Sequence, residues 1–232
     1  MKTLILIPAY NEAESIVSTM NSLYSVCPDI DYIVVNDGSK DDTAKLCKEH
    51  KFNFLDLPVN LGLVGAFQLG MQYASKHGYD AVIQFDADGQ HLPEFISKLK
   101  ETMKDENADI VIGSRFKSEK RSFSGRMIGS RIISFLIRLV SGVKLTDPTS
   151  GMRIYSKKLI EEFAWNKNYD PEPDTLAYLM RNGIKVVEIP VIMKEREGGE
   201  SYLNITSAIR YMLRTSMSIT IFGWFRKRGA MH

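Results

Sequence analysis

The sequence predicts an α/β protein with a mainly parallel central sheet flanked by helices. Three observations predict it. Short apolar runs alternate with amphipathic helical stretches through the first half of the chain. Those runs are too short and too apolar for exposed helices, and several are β-branched. Polar clusters stand where the runs end, at the edge where open α/β sheets bind ligands. The 232 residues, 44% hydrophobic and 25% charged, suit one large core with a modest appendage and exclude a disordered, fibrous or disulfide-stapled chain.

In chain order, strands are expected at residues 3–7, 32–36, 53–56, 81–85 and 110–113. Helices are expected between them at about 13–25, 41–50, 63–76 and 93–104. Ser39 followed by Asp42 is a capping pattern for the second helix, and Pro93 suits a first helical turn. After residue 114 the alternation ends. A basic segment follows with an apolar helical run at 132–140, then a late strand at 185–189 and one or two C-terminal helices within 203–225. No repeat, low-complexity tract or Pro/Gly-rich linker divides the chain. The expected organisation is a catalytic domain over 1–205 and a basic, aromatic, membrane-proximal helical appendage over 206–232.

Net charge is only +2, which argues against a nucleic-acid binder, but it is unevenly spread. Residues 115–144 carry +7, residues 202–232 carry +5, and the remainder therefore carries −10. That asymmetry points to an anionic partner on one face. Cys27 and Cys47 are far apart, with no CxxC, and read as reduced cytoplasmic thiols. The apolar run after Lys2 is too short for a signal peptide, and no stretch reaches the roughly 18–20 apolar residues that span a bilayer.

Three clusters close the expected strands: Pro8-Ala9-Tyr10-Asn11-Glu12, Asn36-Asp37-Gly38-Ser39 and Asp86-Ala87-Asp88-Gly89-Gln90-His91. Singly, each reads as an ordinary turn. Together they bring carboxylates to one sheet edge. Asp86 and Asp88, two positions apart on an extended chain, point to the same side, and like charges so close require a cation. Hard oxygen ligands suit Mg²⁺ or Mn²⁺ shared with substrate phosphates. No GxGxxG follows the first strand, and neither a P-loop nor a GxSxG elbow is present. These absences weigh against a dehydrogenase, a P-loop enzyme and a serine hydrolase.

These three blocks resemble the inverting family 2 glycosyltransferases of GT-A fold. Gly113-Ser114-Arg115-Phe116, Asp147-Pro148-Thr149-Ser150-Gly151 and Arg196-x-x-Gly199-x-Ser201 extend the resemblance to the dolichyl-phosphate mannose synthase-like branch, over roughly residues 3–205. That branch uses polyprenyl phosphate acceptors. The resemblance implies that Pro8, Tyr10, Glu12, Val35 and Asp37 line the nucleotide, and that Asn60, Gly62 and Gly65 form a loop near the sugar nucleotide. It places Asp86, Asp88 and Gln90 on the cation and diphosphate, and Arg196 on the leaving phosphates. Arg115, Arg126, Ser130 and Arg131 would be donors to the acceptor phosphate.

Asp88, Arg115 and Arg131 are thus the expected catalytic residues. Asp147 joins them if the acceptor is a sugar hydroxyl, which needs a carboxylate base. An ionised lipid phosphate needs none. The chain departs from the branch at Tyr202, where a Lys is usual, and at Asn36, where an Asp is common. Residues 132–140 and 209–225, the latter followed by Arg226-Lys227-Arg228, suit a peripheral helix pair on the anionic cytoplasmic face of a membrane. A small membrane-anchoring protein is a compatible partner. The competing readings are transfer to a lipid-linked saccharide in cell-envelope polysaccharide synthesis, a non-catalytic sugar-nucleotide-binding subunit, and a nucleotidyltransferase. The last lacks its usual Gly-rich basic first loop.

Overall fold

A computed structural model describes residues 1–117, 125–166, 168–194 and 205–222, with the side chains of 125–128, 205–209 and 222 left out. The run Leu4-Ile5-Leu6-Ile7 lies in strand β1 (Thr3–Ala9), and all four side chains are fully buried. A strand apolar on both faces is one covered by helices on both sides. Burying each of these side chains is worth about 2 kcal/mol.

Beside it lie β2 (Asp31–Asn36), β3 (Phe54–Asp56) and β4 (Ala81–Gln84), joined by helices α1 (Ile16–Val26), α2 (Thr43–Glu49) and α3 (Gly62–Lys76). Then come α4 (Phe95–Asp105), β5 (Ile110–Ser114), α5 (Gly125–Ser141), β6 (Arg153–Ser156), α6 (Lys157–Trp165), α7 (Pro173–Arg181), β7 (Val186–Pro190) and α8 (Ile205–Met217). A π-helical turn at Ser218–Phe222 follows. The sheet order is β3-β2-β1-β4-β6-β5-β7. Its strand pairs are parallel except those of β6, which runs antiparallel to β4 and β5. The mainly parallel α/β architecture expected from the sequence is the one observed.

Alternation along each strand divides the core. Leu4, Leu6, Val35, Val82 and Ile112 face Phe67, Tyr155 and Phe163 on one side. Ile5, Ile7, Val34, Ile83 and Val111 face Ile16, Met20, Ile96 and Leu99 on the other.

The structure corrects several local expectations. β6, α6 and α7 were not foreseen. β6 has four residues and begins with a buried arginine, so it shows neither length nor an apolar run. Helix α1 begins at Ile16 because the Glu12 carbonyl accepts from the Ser15 and Ile16 amides. Ser39 does not cap α2. Its hydroxyl bonds Asn36 Oδ1 (2.5 Å), while Asp41 accepts from the Thr43 amide (3.0 Å). The described part of 206–232 packs against residues of 1–205. Ile219 joins the core of the first residues, and the Tyr211 hydroxyl donates to Glu172 at 2.7 Å.

Candidate active site

Chain order reverses between β1 and β4, since β2 and β3 lie on one side of β1 and β4 on the other. A crevice opens at such a switch point, beyond the strands' carboxyl ends. Here it is a cleft of about 410 Å³ lined by Pro8, Tyr10 and Glu12 after β1, Asp37 after β2, Asn60, Gly62 and Leu63 at the start of α3, and Asp86 and Asp88 after β4.

Asp37 is nearly buried. Its amide donates to the Ala9 carbonyl (2.9 Å) and its Oδ1 accepts from the Leu61 amide (2.7 Å), tying the β1, β2 and α3 ends together. Gly38 makes that turn possible. Its φ is +64°, and a Cβ there would stand 2.5 Å from the Val59 carbonyl carbon. Asn36 Nδ2 donates to Asp56 Oδ1 at 2.7 Å, a bond an ionised Asp at 36 could not make. The departure at Asn36 is thus matched by its neighbour.

The two cleft carboxylates are held differently. Asp88 accepts from the Gln90 amide at 3.1 Å and is nearly buried. The Asp86 side chain is 36% exposed, and the protein groups around it are distant. Gln84 Nε2 lies 3.4 Å from Oδ1, and His91 Nε2 lies 3.4 Å from Oδ2. His91 Nδ1 accepts the Asp86 amide (2.9 Å), so a neutral His91 carries its proton on the nitrogen facing that carboxylate. Gly151 closes the other side, where a Cβ would stand 2.5 Å from Asp86 Oδ2.

Among the described residues no group of three His, Cys, Asp or Glu could enclose a metal. Two carboxylates, one engaged only at long range, nevertheless fit a Mg²⁺ or Mn²⁺ whose remaining ligands come from a diphosphate and water. Gln90, expected with them, turns its carboxamide to the Lys194 carbonyl (3.4 Å) and ties that segment to the cleft instead.

Arg115 follows β5. Its Nε and Nη2 bond Asp147 Oδ2 (2.7 Å) and Oδ1 (2.8 Å) as a fork, and Nη2 also reaches Thr149 Oγ1 (3.2 Å). The Asp147 hydrogen bonds raise the Arg115 pKa above its already high value against the opposing effect of burial, and Asp86 adds to the rise. Asp147 is fully buried with both oxygens engaged. It anchors Arg115 and is not placed as a base, which corrects that expectation.

Other expected residues are not brought together. Val35 is a fully buried core side chain outside the cleft lining, and Gly65 packs on Leu61 at the start of α3. Ser130 is buried on α5 with its hydroxyl unpartnered among the described residues, whereas Arg131, the next residue round the helix, is exposed. Arg126 lies in the first turn of α5, but its side chain is outside the described ones. Arg196, Gly199, Ser201 and Tyr202, with Trp224 and the 226–228 cluster, also lie outside the described residues.

Sequence reading missed Arg153 and Glu188. Arg153 Nε, Nη1 and Nη2 donate to the carbonyls of Ser150 (2.7 Å), Pro171 (2.9 Å) and Pro148 (2.7 Å). Glu188 accepts from the Thr146 and Asp147 amides. A charged residue inside a short apolar run was the available signal for both.

Residues 4–163 match the family described as Glycosyl transferase family 2. The chain is 31% identical over 216 residues to a polyprenol monophosphomannose synthase of Mycolicibacterium smegmatis, covering 88% of this chain and 81% of the relative. It is 33% identical over 221 residues to an undecaprenyl-phosphate mannosyltransferase of Micrococcus luteus, covering 88% of each. A UDP-N-acetylglucosamine–dolichyl-phosphate N-acetylglucosaminyltransferase of Methanococcus voltae is 31% identical over 210 residues, with 81% and 83% covered. In fold the chain is like the glucosyl-3-phosphoglycerate synthase of Mycobacterium tuberculosis in complex with Mn²⁺, UDP and phosphoglyceric acid. The TM-score is 0.69 at 17% identity, with 94% of this chain and 78% of that one covered.

Proposed function

Because the chain belongs to glycosyl transferase family 2, we propose that it moves a sugar from a nucleoside-diphosphate sugar to a polyprenyl phosphate, with a divalent cation as cofactor. The observation that carries this reading is the pairing, at one sheet edge, of a half-open carboxylate cleft with an arginine held by a buried aspartate. The three relatives, a polyprenol monophosphomannose synthase, an undecaprenyl-phosphate mannosyltransferase and a dolichyl-phosphate N-acetylglucosaminyltransferase, support the acceptor class.

In this reading Pro8, Tyr10, Glu12 and Asp37 receive the nucleoside, while Asp86 and Asp88 hold Mg²⁺ or Mn²⁺. A bound cation would offset charge growing on the departing diphosphate. Arg115 meets the acceptor phosphate, joined by Arg126, Arg131 and Ser130 if α5 turns them to it, and Arg196 serves the donor phosphates. An oxygen of the lipid phosphate attacks the anomeric carbon, the bond to the diphosphate breaks, and the configuration inverts. The phosphate arrives ionised, so no base is needed, in keeping with Asp147 being locked onto Arg115.

No helix among the described residues is long and apolar enough to cross a membrane. The lipid acceptor would instead be met at a surface. Helix α5 buries Ile133 and Ile137 but exposes Ile132, Phe135 and Leu139 beside Arg131 and Arg138. Helix α8 and the turn after it expose Leu213, Met217 and Ile221 beside Arg210 and Arg214. Apolar ridges edged with arginine suit peripheral binding to an anionic leaflet on the cytoplasmic side.

The test is transfer from radiolabelled nucleotide sugars with Mn²⁺ to polyprenyl phosphate or, in a second arm, to a lipid-linked saccharide. Product in the first arm, lowered about 10²–10³-fold by Asp88→Ala, is expected. Product only in the second arm would overturn the acceptor. Equal activity of Asp88→Ala and the parent chain would overturn the cation's place.

A further inference from the structure

Arg115 makes its fork to a single carboxylate, so its direction depends on where the 146–151 turn lies. That turn is held at both ends by buried charged side chains from neighbouring strands. At its far end Arg153, on β6, clamps the Pro148 and Ser150 carbonyls. At its near end Glu188, on β7, inserts its carboxylate under residues 146 and 147. Oε1 accepts both the Thr146 and Asp147 amides at 2.8 Å. Oε2 accepts the Thr146 amide (2.8 Å) and hydroxyl (2.9 Å).

The same residue also ties the chain on Arg115's other flank. Lys117 Nζ donates to the Glu188 carbonyl at 2.7 Å, and the Ser114 hydroxyl bonds that of Thr146 at 2.7 Å. Glu188 stands opposite Ile112 in the β5–β7 register, two residues short of Ser114. Both segments that flank the Arg115–Asp147 pair are therefore hung on one buried glutamate that itself touches neither member's charged end.

We propose that Glu188 is a positioning residue: by seating the 146–147 turn beneath Asp147 it aims the Arg115 guanidinium at the acceptor. The proposal rests on the reading of Arg115 as the acceptor-side cation. Without Glu188 the two amides and the hydroxyl lose their common acceptor. The turn then relaxes, Asp147 leaves the fork, and Arg115 is freed to solvent. Glu188→Gln keeps one oxygen for both amides, but its NH₂ must draw back from the Thr146 amide, 2.8 Å away, to donate to the Thr146 hydroxyl, so it preserves part of the seat.

The test compares the full chain with Glu188→Ala and Glu188→Gln at a temperature where melting curves show each folded. Phenylglyoxal labelling of Arg115, followed by peptide mass spectrometry, reports the pair directly. Acceptor KM and nucleoside-diphosphate affinity report its consequence. Glu188→Ala should speed Arg115 labelling and raise the acceptor KM about tenfold, the size expected of an outer-shell partner. It should leave nucleotide affinity unchanged, and Glu188→Gln should fall between the alanine variant and the parent chain.

Unchanged labelling in a folded Glu188→Ala overturns the proposal. So does an equal loss of donor and acceptor affinity, which signals general loosening. Should the alanine variant fail to fold, Glu188→Asp, too short to reach both amides, takes its place with the same expectations. A parent chain that transfers nothing to polyprenyl phosphate overturns the functional reading alone, because the labelling comparison needs no acceptor.

Discussion

Beyond β4, the Asp86 carboxylate is loosely held: among the described residues its polar side-chain neighbours, Gln84 and His91, stand 3.4 Å away, and it opens toward a cleft. Around β6, β5 and β7, charges are buried and closely paired. Arg115 forks onto Asp147, Arg153 meets three carbonyls, and Glu188 gathers two amides and a hydroxyl. A carboxylate with spare coordination is suited to receive a cation that comes and goes with substrate. A cation locked to a buried carboxylate keeps its direction when nothing is bound. One half of the sheet is built to be completed by its ligand, and the other is built in advance.

Gly151 packs against the Asp86 carboxylate, and among the ways to break this contrast the largest effect is expected there. Gly151→Ala brings a methyl group within 2.5 Å of Asp86 Oδ2 and must displace the carboxylate or the turn. Affinity for Mn²⁺ with nucleoside diphosphate, measured by titration calorimetry, should fall about 10²-fold. Undiminished affinity would mean that Asp86 has room to give, and the contrast between a poised and an open half would blur.

A smaller effect is expected on the outer surface. Phe135→Glu, on the exposed ridge of α5, should weaken sedimentation with anionic vesicles about tenfold while leaving the melting temperature unchanged. Loss of stability instead would make Phe135 part of the protein's own packing.

The smallest effect tests how fully the built-in half compensates its charges. Glu172 has its pKa raised by burial, against the opposing hydrogen bond from Tyr211. A folded-state pKa above the unfolded one gives stability that is present below the unfolded value, near 4.5, and is lost as pH rises through the folded value. Glu172→Gln keeps an acceptor for Tyr211 and removes that loss. Its melting temperature should exceed the parent's by about 2–4 °C at pH 7.5 and match it at pH 4. No difference at pH 7.5 would show the charge already compensated.

The parallel half was legible because β1, β2 and β4 are apolar runs that each end in a functional cluster. Pro8 at the end of β1, and Tyr10, Glu12, Asp37, Asp86 and Asp88 just after β1, β2 and β4, are carried to one edge by chain order alone. In the mixed half β5 and β7 were legible as apolar runs, but β6 was not. β6 is four residues long, enters antiparallel between β4 and β5, and pairs residues far apart in the chain. No local period signals such a strand.

The sequence by itself determined the fold class, the cleft and its carboxylates, because hydrophobic periodicity and strand-end chemistry are local properties. The tertiary structure decided what Asp147 does. From sequence it is the candidate base for a hydroxyl acceptor, at a position before a proline where a turn residue is common. In the fold it is buried against Arg115, over a turn seated by a glutamate 41 residues away. Whether a carboxylate takes a proton or holds an arginine depends on what burial brings beside it, and only long-range packing sets that.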